Sequence, residues 1–398
     1  MSRRLVVGIG LLAIAAVAIV IALLVRAQPA MDVTPTADPS QSSKPAQSTL
    51  LIAVRNDAGS IVGAAVMGAQ TNPDAGSWLS VQPGLVVDID SAGTVPLATA
   101  GKLDPAETTS MLSNNLGIDI AGGWVMDRLA FAALVDSIGG VTVTLDKPLV
   151  HDADGKPGGA KETLAKPGKR RLYGPAAAEY VVTDSINASE RMQRFNEVWS
   201  QIILRLPGNS DRVRSTVGSL GSSSRISISP DDIANTLLGY QTAVARSAAH
   251  SQVVPATQTG KPAAPQFVVD PAPMLVIVKE SFARSQFDLT DDKVNPRIRM
   301  YSGEASQADL VAAQSDLQSA DFDFAWGGVV DKTNKITVYV ADKAHIATYG
   351  HQAAAALKQP DSAIQVAPER CVGVQASVVI GAGALNPQTA SASTSSKS

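Results

Sequence analysis

Residues 117–145 constrain the fold most, because they read as a strand, a helix and a second strand joined by very short loops. A short apolar run at residues 124–126 is followed by Asp127, which can cap a helix. Apolar residues then fall at helical spacing: Phe131, Leu134, Val135 and Ile138. A pair of glycines at residues 139–140 ends the helix, and residues 141–145 alternate as a strand does. Such a unit is the building block of a sheet covered by helices. We therefore expect the loops around that sheet to hold whatever the protein binds.

Composition narrows the classes of function that this chain fits. Its 398 residues are enough for two domains, and its formal net charge of -3 comes from 33 Lys and Arg against 36 Asp and Glu. That balance argues against nucleic-acid binding. Cys371 is the one cysteine, so neither an intrachain disulfide nor a cysteine-based metal site is expected, and the 4 histidines are too scattered to predict a metal site.

The N-terminus predicts a membrane anchor. Residues 5–25 form a run of 21 residues without a charge, which at about 1.5 Å per helical residue spans a hydrocarbon core of about 30 Å. Arg3 and Arg4 favour a cytoplasmic N-terminus, so the bulk of the chain is expected outside the cytoplasm. A cleaved signal peptide is the alternative, although the apolar run is longer than usual and no clean Ala-x-Ala site follows.

Shifts in composition and pattern predict the domain boundaries. We expect a cytoplasmic N-terminus at residues 1–4, a transmembrane helix at residues 5–25 and a flexible linker at residues 26–47. A larger α/β domain at residues 48–290 and a small α+β domain at residues 296–382 follow, and residues 383–398 form a disordered Ser/Thr/Ala-rich tail. The small domain shows its elements in the order β-α-β-β-α-β, which is sufficient for a self-contained unit.

Two helices and two loops of the larger domain have clear signatures. Residues 104–107 (Asp-Pro-Ala-Glu) open a helix with a capping aspartate and a proline at the first helical position. Residues 188–206 predict a strong helix with arginines among its apolar positions. Residues 150–171 read as a long loop with surplus positive charge, either functional or merely solvated, and residues 251–266 as a second loop of low complexity.

Several segments together carry a resemblance to a known family. After the linker, residues 116–120 read Leu-Gly-Ile-Asp-Ile, and residues 131–143 read Phe-Ala-Ala-Leu-Val-Asp-Ser-Ile-Gly-Gly-Val-Thr-Val. Residues 172–181 read Leu-Tyr-Gly-Pro-Ala-Ala-Ala-Glu-Tyr-Val, and residues 189–198 read Ser-Glu-Arg-Met-Gln-Arg-Phe-Asn-Glu-Val. In this order they resemble the LytR-CpsA-Psr (LCP) family of cell-envelope proteins. The small domain is similar to the LytR C-terminal domain found behind it in actinobacteria. The resemblance implies an α/β fold with a mixed central sheet flanked by helices, followed by a small α+β domain.

Members of that family transfer glycopolymers from a polyprenyl-pyrophosphate carrier to peptidoglycan. The resemblance therefore implies three physical requirements for an active member. Several Arg or Lys side chains must hold the pyrophosphate, and carboxylates must hold Mg²⁺ to neutralise the leaving phosphate. An apolar cavity must also accept the polyprenyl tail.

This sequence retains part of the family's site. Arg191 and Arg194 match the paired arginines and, three apart on a helix, face the same way. Lys102 matches the basic residue before the helix that begins near residue 104. Two further candidates lie near the family's acidic and basic positions but slightly out of register. Arg55 is a candidate for binding the pyrophosphate, and Asp57 is the candidate metal ligand.

Other positions depart from the family. Where the family has Ser-Ile-Pro-Arg-Asp, residues 80–84 read Ser-Val-Gln-Pro-Gly, and Val182 and Asp184 replace two further arginines. Losing one charge-assisted contact to the phosphate being transferred costs about 3–4 kcal/mol of transition-state stabilisation. Losing several such contacts should leave little turnover. We therefore expect a catalytically degenerate binding or scaffolding module of cell-wall assembly.

The alternative is an active, Mg²⁺-dependent glycopolymer phosphotransferase that uses the four retained cations. The expected partners are the membrane, through one N-terminal helix, and a polyprenyl-phosphate lipid, a cell-wall glycan or envelope proteins, and not nucleic acid. A transcriptional regulator is disfavoured, since no helix-turn-helix pattern occurs.

The arginine pair also has a purely structural interpretation, as part of a solvated helix face with Glu190 and Glu197 as partners. In the small domain, four aromatic residues either stack on sugars or belong to the core: Tyr301, Trp326, Tyr339 and Tyr349.

Overall fold

The computed structural model describes residues 47–70, 75–89, 93–152, 161–183, 187–261, 264–290 and 294–385. The predicted cytoplasmic N-terminus, transmembrane helix and linker up to residue 46 lie outside these residues, as does the tail from residue 386. Within the described ranges, no helix has both the length and the apolar character needed to cross a membrane.

The strands of the described residues are, in chain order, β1 (Gln47–Arg55), β2 (Ile61–Gln70), β3 (Gly76–Val81), β4 (Val86–Ile89), β5 (Gly93–Pro96), β6 (Gly122–Met126), β7 (Val141–Leu145), β8 (Leu149–Asp152), β9 (Lys161–Ala165), β10 (Gly168–Leu172), β11 (Ser224–Ile226), β12 (Ala249–Val253), β13 (Ala256–Lys261), β14 (Ala264–Val269), β15 (Arg297–Gly303), β16 (Asp323–Val329), β17 (Thr337–Val340), β18 (Ile364–Val366) and β19 (Ala376–Gly381).

The α-helices are α1 (Pro105–Leu116), α2 (Arg128–Ser137), α3 (Gly174–Val182), α4 (Ala188–Arg205), α5 (Ser210–Ser219), α6 (Pro230–Ala245), α7 (Pro271–Ser281), α8 (Gln307–Gln318) and α9 (His351–Ala356). Short 3₁₀ segments occur at Leu97–Lys102, Gly221–Ser223, Asp361–Ala363 and Pro368–Arg370, and a π-helical turn at Ile346–Gly350 leads into α9. Capping by polar side chains starts most of these helices: Asp104 accepts a hydrogen bond from the backbone of α1, and Asp127 accepts two from α2.

The central sheet is mixed and has the strand order β11-β6-β1-β2-β3-β12. β1 pairs in parallel with β6 and antiparallel with β2, and β3 pairs in parallel with β12. Alternate residues of β1 enter different cores, with Leu50 and Ile52 on one side and Leu51 and Ala53 on the other. The sheet is therefore covered on both faces, which confirms the predicted mixed sheet flanked by helices.

Aromatic rings fill one of the two cores, on the face covered by α2 to α6. Trp199 of α4 is fully buried and its ring lies 5.9–6.3 Å from the rings of Trp78, Trp124, Phe131 and Phe195. β2 has Gly63 opposite this cluster, because a Cβ there would lie 2.4 Å from the ring of Phe195. The helix layer thus packs directly on the backbone of the sheet. The other core, under α1 and α7, is built from aliphatic side chains and Phe282.

The C-terminal sheet has the order β16-β15-β19-β17-β18 and packs one face against α8 and α9. The predicted order β-α-β-β-α-β is present, with the short strand β18 added between α9 and β19. Val86 and Val268 belong to the same core as this sheet. The described residues form one compact unit, and the predicted domain boundary between residues 290 and 296 stays a prediction.

Three expectations from the sequence need correction. β6 and α2 form as expected, but β7 pairs with β10 in a separate ribbon and does not join the central sheet. The predicted cationic loop at residues 150–171 contains β8, β9 and β10 where it is described, and the predicted low-complexity loop at residues 251–266 contains most of β12 to β14. Strands of charged or small residues lack the apolar alternation that reveals a strand, so their long-range pairing is not visible in the sequence.

Replacing Trp199 tests the aromatic core. We expect Trp199→Ala to lower the free energy of unfolding by about 3–5 kcal/mol, because it removes a large ring that is 1% exposed. Leu204→Ala is the matched control on the same helix, where the side chain is 62% exposed and a change below about 0.5 kcal/mol is expected. Urea denaturation followed by fluorescence and circular dichroism measures both. Similar losses in the two variants would contradict the packing described.

Candidate functional site

The turn between β1 and β2 brings together three of the sequence-predicted site residues. Arg55 ends β1, and its Nη1 donates a long hydrogen bond of 3.4 Å to the carbonyl oxygen of Gly101. Asp57 lies in the turn, and the exposed Lys102 runs beside Gly59. The approach of the two segments requires Gly101, since a Cβ there would lie 2.3 Å from the Gly59 carbonyl oxygen. We refer to Arg55, Asp57 and Lys102 with their neighbours as the turn cluster.

Arg225 of β11 joins the turn cluster and was not predicted from the sequence. Its Nη2 donates to the carbonyl oxygen of Gly101 at 2.7 Å, and its Nη1 to that of Leu103 at 2.9 Å. Burial lowers the pKa of the Arg225 guanidinium, and the neighbouring positive charge of Arg55 lowers it further. Two guanidinium groups therefore share one carbonyl oxygen. An isolated arginine on a short strand gives no sequence signal of this contact.

Arg128 and Glu179 occupy the other side of the turn cluster. The Nη1 of Arg128 lies 3.3 Å from the Oδ2 of Asp57, and its Nη2 lies 2.9 Å from the Oε2 of Glu179. Arg128 begins α2 and Glu179 is buried in α3, so the ion pairs connect the turn to both helices. The carboxylate of Asp57, the candidate metal ligand, is thus in contact with a cation.

The carboxylates of the turn cluster do not fit a Mg²⁺ site. Asp57 faces the guanidinium of Arg128, whose charge opposes a divalent cation at the same place. The carboxylate of Asp104 caps α1 by accepting from the backbone N–H of Ala106 at 2.8 Å. Within the described part of the chain, no group of three or more His, Cys, Asp or Glu side chains is placed to hold a metal ion. We therefore derive no chemical step through Mg²⁺.

Helix α4 carries the arginine pair, and Arg194 makes contacts with α4 and α3. Arg194 makes an ion pair with Glu190 at 2.6 Å, donates to the carbonyl oxygen of Tyr180 at 3.3 Å, and lies 4.5 Å from the centre of the Tyr180 ring. Tyr180 in turn donates its hydroxyl to Glu197 at 2.9 Å. Burial, followed by this bond to a carboxylate, raises the pKa of Tyr180 well above its usual value. Arg191 is half-buried one turn earlier on α4.

A cavity of about 750 Å³ opens beside this face of α4. Its wall is formed by residues from β7, the start of β8, α3 and α4, and Arg194 is part of it: the charged lining residues are Asp146, Lys147, Glu190, Arg194 and Glu197. Arg55, Asp57 and Lys102 do not line it. Of the four predicted cations, only Arg194 therefore lines the cavity, where three carboxylates face two cations.

The end of β3 is joined to α4 by neutral groups. Asn196 accepts hydrogen bonds at 3.0 Å from the indole N–H of Trp78 and from the hydroxyl of Ser80. This is the stretch where the family pattern has an arginine and an aspartate and this sequence reads Ser-Val-Gln-Pro-Gly. Val182 is buried at the end of α3, and Asp184 lies outside the described residues. At residues 83, 84 and 182 the chain thus has uncharged side chains where the family has charged ones.

The aromatic residues of the C-terminal sheet favour the core interpretation. Tyr301 and Trp326 are buried, and Tyr339 and Tyr349 are partly buried. The rings of Tyr301 and Tyr339 both lie within 5.8 Å of the guanidinium of Arg370. These two rings are thus engaged within the protein.

Comparisons with known proteins agree with this description of the fold. The LytR_cpsA_psr family matches residues 86–251. The crystal structure of TagV from B. subtilis is similar at 15% identity with a TM-score of 0.50, covering 62% of this chain and 99% of TagV. Protein gbs0355 from Streptococcus agalactiae gives 15% identity and a TM-score of 0.50, covering 61% of this chain and 89% of that protein. At these identities the likeness concerns the fold alone. No curated protein matches the sequence.

The bridge through Arg128 generates a prediction about stability. We expect Arg128→Met to lower the free energy of unfolding by about 2 kcal/mol, because it removes the guanidinium in contact with the buried carboxylate of Glu179. Asp57→Asn should cost no more than about 0.5 kcal/mol, since the Asp57 side chain is 77% exposed. Urea denaturation of both variants beside Arg214→Met, an exposed ion pair elsewhere, measures the difference. Equal losses in all three would rule out a structural bridge at Arg128.

Proposed function

Because residues 86–251 match the LytR-CpsA-Psr family, we propose that the chain is a membrane-anchored, extracytoplasmic member that binds a cell-wall glycopolymer without transferring it. The family membership supports the role in the cell envelope. The anchor and the location rest on the apolar run at residues 5–25, which lies outside the described residues. The absence of transfer rests on the charges and contacts of the site.

The observation that carries the proposal is the charge of the cavity beside α4. Three carboxylates and two cations line it, and Arg194 is already in contact with one of those carboxylates, Glu190. A pyrophosphate brings at least two negative charges and would meet this excess of carboxylate at short range. Transfer of a phosphoryl group requires the opposite, a concentration of cations around the developing charge.

The same cavity has the groups that bind an uncharged sugar. Carboxylates accept hydrogen bonds from sugar hydroxyls, whereas amide and guanidinium groups donate to them. Asn187, Ser189 and Gln193 supply further polar side chains along the α4 side of the wall. A sugar of this kind requires little apolar surface in the cavity wall. The cavity volume of about 750 Å³ is within the range of small-molecule sites. We infer that this cavity binds a neutral saccharide segment of the glycopolymer.

The packing behind α4 also opposes transfer from a lipid carrier. The resemblance implies an apolar cavity for a polyprenyl tail, located behind the arginine pair. In this protein Phe195 and Trp199 fill the space between α4 and the central sheet, and both are buried completely or almost so. Opening that space would separate rings that pack on the backbone of β2.

Turnover of a lipid substrate tests the absence of transfer. We expect the full chain, purified in detergent, to release no phosphate above background from a polyprenyl pyrophosphate in the presence of Mg²⁺, because carboxylates outnumber cations in the cavity beside α4 and Arg194 is already paired with Glu190. Phosphate release is measured with the wild type and with the double variant Arg191→Ala, Arg194→Ala. Release by the wild type that disappears in the double variant would establish the phosphotransferase instead.

Competition between a neutral and an anionic probe tests the cavity. We expect isothermal titration calorimetry to show binding of chitotriose, a neutral sugar, and binding of inorganic pyrophosphate that is at least about 10-fold weaker. The double variant Glu190→Gln, Glu197→Gln should weaken chitotriose binding by about 10-fold or more and strengthen pyrophosphate binding. Glu162→Gln, an exposed residue of β9 that does not line the cavity, is the control and should change neither.

Tighter binding of pyrophosphate than of chitotriose by the wild type would contradict the proposed ligand. Loss of chitotriose binding in Glu162→Gln to the same extent as in the double variant would show that the sugar binds elsewhere. Circular dichroism of each variant checks that the fold is intact before the affinities are compared.

A further inference from the structure

Two buried arginines lie where the C-terminal sheet meets α1 and α7. Arg297 and Arg299 start β15, are 3% and 5% exposed, and, two apart on a strand, point to the same face of the sheet. Both line a cavity of about 20 Å³, whose other walls are mainly apolar side chains of α1, α7 and the segments that flank them: Leu116, Met274, Leu275, Val278, Phe287 and Leu289. Neither arginine belongs to the turn cluster or to the cavity beside α4.

Carbonyl oxygens accept hydrogen bonds from both arginines. Arg297 donates to the carbonyl oxygens of Asn114 and Gly373, and its guanidinium lies 4.6 Å from the centre of the Phe287 ring. Its Nε is buried without a hydrogen-bond partner. Arg299 donates to the carbonyl oxygen of Val372 at 2.8 Å. Asp323, at the start of β16, is the carboxylate whose negative charge acts on Arg297, and Tyr301 interacts with Arg299.

The positive charge at this junction is only partly offset by its surroundings. Two guanidiniums bring two positive charges into an apolar junction, and burial, followed by the repulsion from Arg299, lowers the pKa of Arg297 to about 9. The C-terminus of α1, which Arg297 caps through Asn114, contributes roughly half a negative charge by its dipole. Asp323 offsets a further part of the charge, although the pKa of Arg297 stays lowered. Buried charges of this kind are normally paired or bound to an ion.

We propose that the cavity between Arg297 and Arg299 binds a small monovalent anion of the size of chloride. A volume of about 20 Å³ is enough for one ion or water molecule and favours an anion of that size over phosphate or sulfate. The unpartnered Nε of Arg297 provides a donor, and the apolar walls suit an ion that is weakly hydrated. The bound anion would stabilise the contact of the C-terminal sheet with α1 and α7.

Thermal unfolding at constant ionic strength tests the site. Sodium gluconate, whose anion is too large for the cavity, is replaced stepwise by sodium chloride or bromide in the buffer of the full chain. We expect the Tm to rise by about 3 °C and to saturate, as for a single site that binds the folded state. Arg299→Met, which keeps the length of the side chain but removes its charge, should lose this dependence. Arg212→Met, an exposed arginine of α5, should retain it.

Crystals grown in bromide provide a second measurement that does not depend on the variant folding. We expect an anomalous peak between the guanidiniums of Arg297 and Arg299. A Tm that is the same in chloride and gluconate, or a cavity that contains only water in the bromide crystals, would overturn the proposal. Retention of the full chloride dependence by a folded Arg299→Met would also overturn it.

Discussion

Burial of β1 on both faces is the constraint on which the rest of the structure depends. A strand whose alternate residues enter two different cores can be satisfied only if helices cover both sides of the sheet. The chain meets this requirement with aromatic packing under α4 and aliphatic packing under α1 and α7. The ends of the strands then fix the positions of the loops. The turn after β1 can hold Arg55 and Asp57 in place because β1 itself is immobilised from both sides.

Charge in this protein is used to hold elements together. The guanidinium of Arg128 joins the turn to α2 and α3, Arg225 joins β11 to the segment before α1, and Arg194 joins α4 to α3. A side chain whose donors are already directed at carbonyl oxygens and carboxylates of its own protein has little left for a phosphate. Retention of arginines at family positions is therefore compatible with a site that does not grip a pyrophosphate.

Sequence reasoning predicted the elements with strong local signals and missed those defined by distant partners. Helix α4 was predicted within one residue because its apolar periodicity extends over five turns, and α1 because capping and proline mark its start. β10 reads Gly-Lys-Arg-Arg-Leu and becomes a strand only through its pairing with β7. The contact of Arg225 with Gly101 spans 124 positions in the chain, and no periodicity encodes such a separation.

Helix α1 connects the turn cluster with the C-terminal sheet. It begins at the cap Asp104, two residues after Lys102, and ends where Arg297 of β15 donates a hydrogen bond to the carbonyl oxygen of Asn114. Its 12 residues span about 18 Å. A helix is stiff along its axis, so α1 fixes the distance between these two contacts. Arg297 thus holds one end of the helix, and the guanidiniums of Arg55 and Arg225 hold the segment before its other end.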